Sequence, residues 1–172
     1  MRFTILLALA AGLLSLPARA QLFSAIDSAA PFFASQQLPA QLKLGMLRGG
    51  ITNTRSLLSQ AAGKPVVITY FSPSCGHCQL EAKALADSAA QLGGLHLVWV
   101  SSHPLEALRA FDSAYGLQKA GVQLMRDVDY VLPPYFDIQF TPFTVLASPE
   151  GRLIRHWRKG ASVVDLVAAA SR

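Results

Sequence analysis

The chain of 172 residues contains two cysteines, Cys75 and Cys78, and they stand three positions apart. The thiolate is the form of cysteine that attacks a disulfide, so the surroundings must be judged by whether they hold an anion. The run Pro65 to Phe71 is β-branched and aromatic, is bounded by Gly63 and Ser72-Pro73, and reads as a buried strand. The segment from Gln79 to Leu92 is rich in Ala, Leu, Glu and Lys and reads as a helix stopped by Gly93-Gly94. Cys75-Gly76-His77-Cys78 therefore lies where a strand feeds the first turn of a helix. The first N–H groups of a helix have no intrahelical partner, and its dipole favours negative charge there. A Cys75 thiolate would be stabilised, and its pKa should fall below that of a free thiol. Cys78, on the same face and one turn deeper, could attack a mixed disulfide formed at Cys75.

Other uses of two cysteines fit less well. A disulfide closing so short a loop contributes only about 2 kcal/mol in the chain-entropy model, so the pair is poorly placed as a staple. A closed zinc site needs four ligands, but there is no second Cys pair, and His96, His103 and His156 fall on separate elements. Gly76 and His77 between the sulfurs, after Ser72-Pro73-Ser74, do not read as core. A copper carrier is a further alternative, with Cys75, Cys78 and a remote ligand such as His103 holding soft Cu(I). His77, if charged or donating a hydrogen bond, would favour the Cys75 thiolate; it could equally be an exposed loop residue. Glu81, three residues past Cys78, reads as a proton relay or a solvated carboxylate.

The elements that must position these residues are legible in the flanks. Leu42 to Leu47 could be a strand and Leu22 to Ala30 a short helix. Leu95 to Ser101 is a second buried strand, and Pro104 opens a helix that ends at Gly116. Val122 to Met125 is a third short strand. Between Asp129 and Phe140, Pro133-Pro134 leave room only for a short or broken helix. Thr141-Pro142 opens a strand from Phe143 to Ala147, where a proline is tolerated as the residue before the ladder. Ser148-Pro149-Glu150-Gly151 has the residues of a type I turn, leading to an antiparallel strand from Arg152 to Arg158. Ser162 and Asp165 form a capping-box-like pair for a last helix. Strands alternating with helices, then a hairpin and a helix, predict an α/β sheet covered on both faces.

Apolar residues are 52% of the chain and charged residues 15%, which excludes a disordered chain and fits one compact domain. The first 20 residues read as a secretory signal peptide: Arg2, an apolar run from Ile5 to Leu16, and a small-x-small ending cleaved after Ala20. That run is too short for a membrane anchor. Residues 21–41 would then be an N-terminal extension and residues 42–172 the folded domain. Export suits the cysteines, since disulfides persist outside the cytosol. The net charge of +5 falls to +3 once Arg2 and Arg19 leave with the signal. The remaining basic residues are scattered, except Arg152, Arg155, Arg158 and Lys159, which read as the solvated edge of a strand, so no nucleic-acid partner is expected.

The order of these features resembles the thioredoxin superfamily, and within it the exported TlpA/ResA-like thiol–disulfide oxidoreductases. The resemblance rests on Gly63-Lys64-Pro65, the stretch Tyr70 to Cys78, Glu81, Tyr135 to Pro142, and Pro149-Glu150-Gly151. It covers roughly residues 42 to 170. It implies a thioredoxin-like fold, a central mixed sheet flanked by helices, with a helix and strand inserted after the second core strand. Cys75 resembles the exposed nucleophile, Cys78 the resolving thiol, and Gly76, His77 and Glu81 residues that tune the site. Pro142 resembles a cis-proline facing the sulfurs, with Thr141 offering its backbone to a substrate segment. No cofactor beyond a redox-active Cys75–Cys78 disulfide is implied. The expected partners are proteins bearing thiols or disulfides and an unidentified redox partner, with a membrane-bound one among the candidates. The expected location is the periplasm. Two departures stand out. Ser74 replaces the tryptophan that often precedes the first cysteine, and Thr69 replaces a buried acid. The Pro-x-x-x-Thr-x-x-Cys pattern of a peroxidatic cysteine is absent, because Ile68 stands where its proline belongs, so a peroxiredoxin is not expected.

Overall fold

A computed structural model of the protein describes residues 36–170, so the signal peptide expected at 1–20 and the helix expected at Leu22–Ala30 lie outside the described residues. Seven strands form one mixed sheet: β1 (Lys43–Met46), β2 (Ile51–Asn53), β3 (Val66–Tyr70), β4 (His96–Ser101), β5 (Gln123–Asp127), β6 (Phe143–Ala147) and β7 (Leu153–Trp157). Their order across the sheet is β2-β1-β5-β4-β3-β6-β7. Strand β3 runs parallel to β4 and antiparallel to β6, so the strand that leads to Cys75 is central.

Side chains alternate across a strand, and β3 uses both faces. Val67 and Phe71 point to one core with Leu97, Trp99, Leu108 and Phe111, while Val66, Ile68 and Tyr70 point to the other with Val98, Val100 and Phe136. The first core holds α2 (Gly76–Ser88), α3 (Leu105–Tyr115) and α5 (Val163–Ala170); the second holds α1 (Thr54–Gln60) and α4 (Leu132–Phe136). Both faces are therefore covered, and the expected α/β architecture is the one found. The expected insertion is α3 with β5: the strand pairs in parallel with β4 and antiparallel with β1, which extends the sheet to β2.

Local chemistry fixes the ends of these elements. Gly116 closes α3 in the left-handed conformation, where glycine has no Cβ penalty. Helix α4 is short, as two prolines demand: they occupy its first turn, and the buried Asp127 carboxylate accepts from the N–H groups of Val131 and Leu132. Ser162 and Asp165 exchange hydrogen bonds at the start of α5, a true capping box. Strand β2 and helix α1 were not expected. Asn53 caps α1 through Ser56 N–H at 2.9 Å, a signal available in Asn53 followed by Leu57. The stretch set apart as the end of an extension is in contact with the domain. Leu38 is buried and donates to the Gly151 carbonyl at 2.8 Å, and Gln37 bridges to Arg152. Among the described residues no helix is long and apolar enough to cross a membrane.

Candidate active site

Cys75 is the N-cap of α2, with extended backbone, and its sulfur accepts the Cys78 N–H at 3.4 Å. The helix terminus supplies what the sequence predicts there, an unpartnered donor turned toward an anion. The same sulfur reaches across to the loop before β6, where Cys75 Sγ lies 3.3 Å from the Thr141 carbonyl and accordingly donates to it as a thiol. The Thr141-Pro142 bond is cis. Strand β3 brings Cys75 to this edge and its antiparallel neighbour β6 brings Thr141, because Tyr70 and Phe143 are paired in register.

The two sulfurs differ sharply. Cys78 has no exposed surface, and Cys75 is half-buried; both are free thiols. Burial pushes Cys78 up to about 12, helped by Cys75, which holds its proton. At Cys75 burial also acts upward. It is outweighed by hydrogen bonds from the Cys78 thiol and amide, the Thr141 side chain and the His77 amide, so the pKa falls below that of an ordinary thiol. One sulfur is thus prepared to be an anion and the other to remain a thiol until called on.

His77 is exposed, and what it gives Cys75 is its backbone N–H. Gly76 begins α2 with open space where a Cβ would lie. Glu81 sits one turn beyond Cys78 and is half-buried, which pushes its carboxyl up to about 7 against an opposing hydrogen bond from the Ala161 backbone. Of the two readings of Glu81, the solvated carboxylate does not fit this burial. Thr69, in the position of the missing acid, is buried and bonds Thr144 at 3.0 Å, hydroxyl to hydroxyl, so it is occupied structurally.

Sequence reasoning missed the loop after β7. Gly160 has φ +81, and a Cβ there would collide with the Glu81 carboxylate and lie 2.8 Å from Pro142 Cγ. Glycine is required at this point both by the backbone and by the space. The available signal was Lys159-Gly160-Ala161 between a strand and a capped helix. Beside Pro142 lies a cavity of about 680 Å³ whose lining includes His77, Phe140, Phe143, Arg158 and Lys159. The third ligand that a copper carrier needs is not brought in: among the described residues no group of three or more His, Cys, Asp or Glu side chains could hold a metal ion.

A model of the AhpC/TSA family matches residues 30–162. The chain belongs to the AhpC/TSA family. No curated protein sequence matches it, but solved structures do. DsbF of Mycobacterium tuberculosis, solved in mixed oxidised and reduced forms, is 26% identical, with a TM-score of 0.63 over 78% of this chain and 97% of that one. A secreted disulfide oxidoreductase of Mycobacterium tuberculosis, described as homologous to E. coli DsbE, is 23% identical, with a TM-score of 0.60 over 77% and 96%. The bacterioferritin comigratory protein of Xanthomonas campestris, described by its alkyl peroxide reduction activity, is 21% identical, with a TM-score of 0.65 over 80% and 96%. The last two likenesses are of fold. This AhpC/TSA member is thioredoxin-like, and the family together with its oxidoreductase neighbours supports thiol–disulfide oxidoreductase activity.

Proposed function

We propose that this AhpC/TSA member is an exported, TlpA/ResA-like dithiol–disulfide oxidoreductase that reduces protein disulfides through Cys75 and Cys78. The observation that carries the reading is the opposed tuning of two sulfurs one helical turn apart, the half-buried one favoured as an anion and the wholly buried one held as a thiol. The signal-like segment at residues 1–20 and the secreted DsbE-like neighbour support a periplasmic location.

The Cys75 thiolate attacks one sulfur of a substrate disulfide, and the other substrate sulfur leaves as a thiolate. Cys78 gives up its proton and attacks Cys75 Sγ. The substrate sulfur bonded to Cys75 leaves as a thiolate, and a Cys75–Cys78 disulfide, the redox group of the site, remains. Two electrons have passed to the substrate. Glu81 is the acceptor for the Cys78 proton: it is the carboxylate nearest in sequence on the same helix face, and its raised pKa suits proton exchange near neutrality. Thr141 presents backbone to the substrate segment, and Gly76 and His77 leave the approach open. An external dithiol, supplied in the cell by a redox partner, resets the pair.

The protein should reduce insulin when given dithiothreitol, read as turbidity. Cys75→Ser should abolish the reaction and Cys78→Ser should trap mixed disulfides; turnover retained without Cys75 overturns the reading. The direction is tested by the equilibrium potential against glutathione. The hydrogen bonds at Cys75 stabilise the dithiol and work toward a more oxidising pair, whereas the cysteine motif behind an export signal favours a reductant. A potential above that of glutathione, with refolding of scrambled ribonuclease, would assign an oxidase or isomerase instead. Faster turnover of hydroperoxides than of insulin would assign a peroxidase.

A further inference from the structure

The cavity beside Pro142 is floored by apolar groups and edged by charge. Pro142 and Phe143 are buried beneath it, while Phe140 at its lip is 78% exposed. Arg158 and Lys159 also line it, both exposed, and among the described residues neither joins an ion pair. One acid, Asp137, also lines the cavity, and it already accepts from Gln139 at 2.7 Å. Glu81 lies behind Gly160, half-buried, with its charge disfavoured. The charge offered to an incoming chain is therefore positive. Arg155 is placed differently, with its guanidinium over the Trp157 ring at 5.0 Å.

A large aromatic side chain left in water next to Thr141, whose carbonyl meets the Cys75 sulfur, with buried apolar groups in the same cavity, fits an apolar side chain of a partner. Two cations without ion-pair partners lining the same cavity fit carboxylates. The cavity's volume suits several side chains rather than one atom group. Because Thr141 joins the cavity lining to the Cys75 contact, a chain whose cysteine reaches Cys75 would lay its neighbouring residues here.

We infer that this cavity is a substrate-docking site that selects polypeptide segments in which the disulfide cysteine is flanked by an aromatic or large aliphatic residue and by acidic residues. Phe140, Pro142 and Phe143 take the apolar side chain, and Arg158 and Lys159 take the carboxylates. The inference rests on the reading of Cys75 as the sulfur that attacks protein disulfides.

The test uses four octapeptides, each joined through one cysteine to 2-nitro-5-thiobenzoate, with Phe or Ser and Asp or Lys beside the cysteine. Release of the coloured thiol by the pre-reduced protein gives the rate of attack. The Phe/Asp peptide should react about tenfold faster than the Ser/Lys peptide, and 0.5 M salt should remove most of the Asp-over-Lys part. Arg158→Glu with Lys159→Glu should invert the Asp:Lys ratio, and Phe140→Ser should flatten the Phe:Ser ratio. A charge-matched pair whose residues do not line this cavity, Arg48→Glu with Lys119→Glu, should leave both ratios as they were. Equal rates for all four peptides, or a ratio that moves equally with either charge pair, overturns the docking site while leaving the sulfur chemistry intact. Absence of release from every peptide, or release undiminished in Cys75→Ser, instead removes the reading of Cys75 and the docking site with it.

Discussion

The site has two sides of different character. The helix side, from Ser72 to Glu81, sets proton affinities: backbone donors, burial and a second sulfur act within one turn of α2. The loop side, Gln139 to Phe143 with Arg158 to Ala161, sets shape: a close-packed proline, a glycine with no room for a side chain, and an open apolar hollow. Reactivity can be written into a few consecutive residues because a helix terminus brings its own field. Recognition cannot, because it needs segments that only the folded sheet brings together.

The contrast breaks or sharpens under four measurements. The largest effect should be between the sulfurs themselves. At pH 7 iodoacetamide should modify Cys75 at least about a thousandfold faster than Cys78, given their thiolate fractions and exposure. Site-resolved mass spectrometry reads this, and comparable rates would erase the division of labour between them.

Glu81 gives the next largest effect. Its carboxyl is raised from 4.5 to about 7 in the folded protein. Its folded-state proton is held more tightly than in the unfolded chain, so the associated stability is present below about pH 4.5 and is lost as pH rises through about 7. The loss is at most on the order of 3 kcal/mol. Glu81→Gln should leave stability at pH 4 nearly unchanged and raise it at pH 8, as read by urea denaturation at both values. If Glu81 takes the Cys78 proton, the same variant slows mixed-disulfide resolution and removes an inflection near pH 7 from its rate.

Two glycines compare the sides directly. Gly160→Ala should cost about 2 kcal/mol, since it meets both a positive φ and occupied space, and it should impair insulin reduction. Gly76→Ala meets neither and should stay within about 0.5 kcal/mol. Equal costs would mean that the loop side can yield. The smallest effect is at Thr69. Thr69→Val strands a buried Thr144 hydroxyl and should cost about 1 kcal/mol, while Thr69→Val with Thr144→Val should recover most of it.

The helix side was legible in the sequence because every cue is local: β-branched residues to Phe71, a Ser-Pro break, then cysteines spaced by one turn. The strand from Phe143 and the capping box at Ser162 and Asp165 were legible for the same reason. Strand β2 was not, since three residues carry too little pattern, and its place beyond β1 follows from pairing at the sheet edge. The role of Gly160 was hidden because it is defined by Glu81 and Pro142, neighbours 79 and 18 positions away along the chain. Arg158 and Lys159 read as a solvated edge in sequence; only the fold brings them to the same cavity as Phe140.

Cys78 is wholly enclosed, and that leaves the disulfide form with one point of entry. A reductant arriving to regenerate the protein must strike the same sulfur, from the same direction, as the client that has just departed. The two can never be seated together, so turnover alternates between half-reactions, with parallel lines in double-reciprocal plots. Any molecule that lingers over Cys75 then inhibits both halves of the cycle at once.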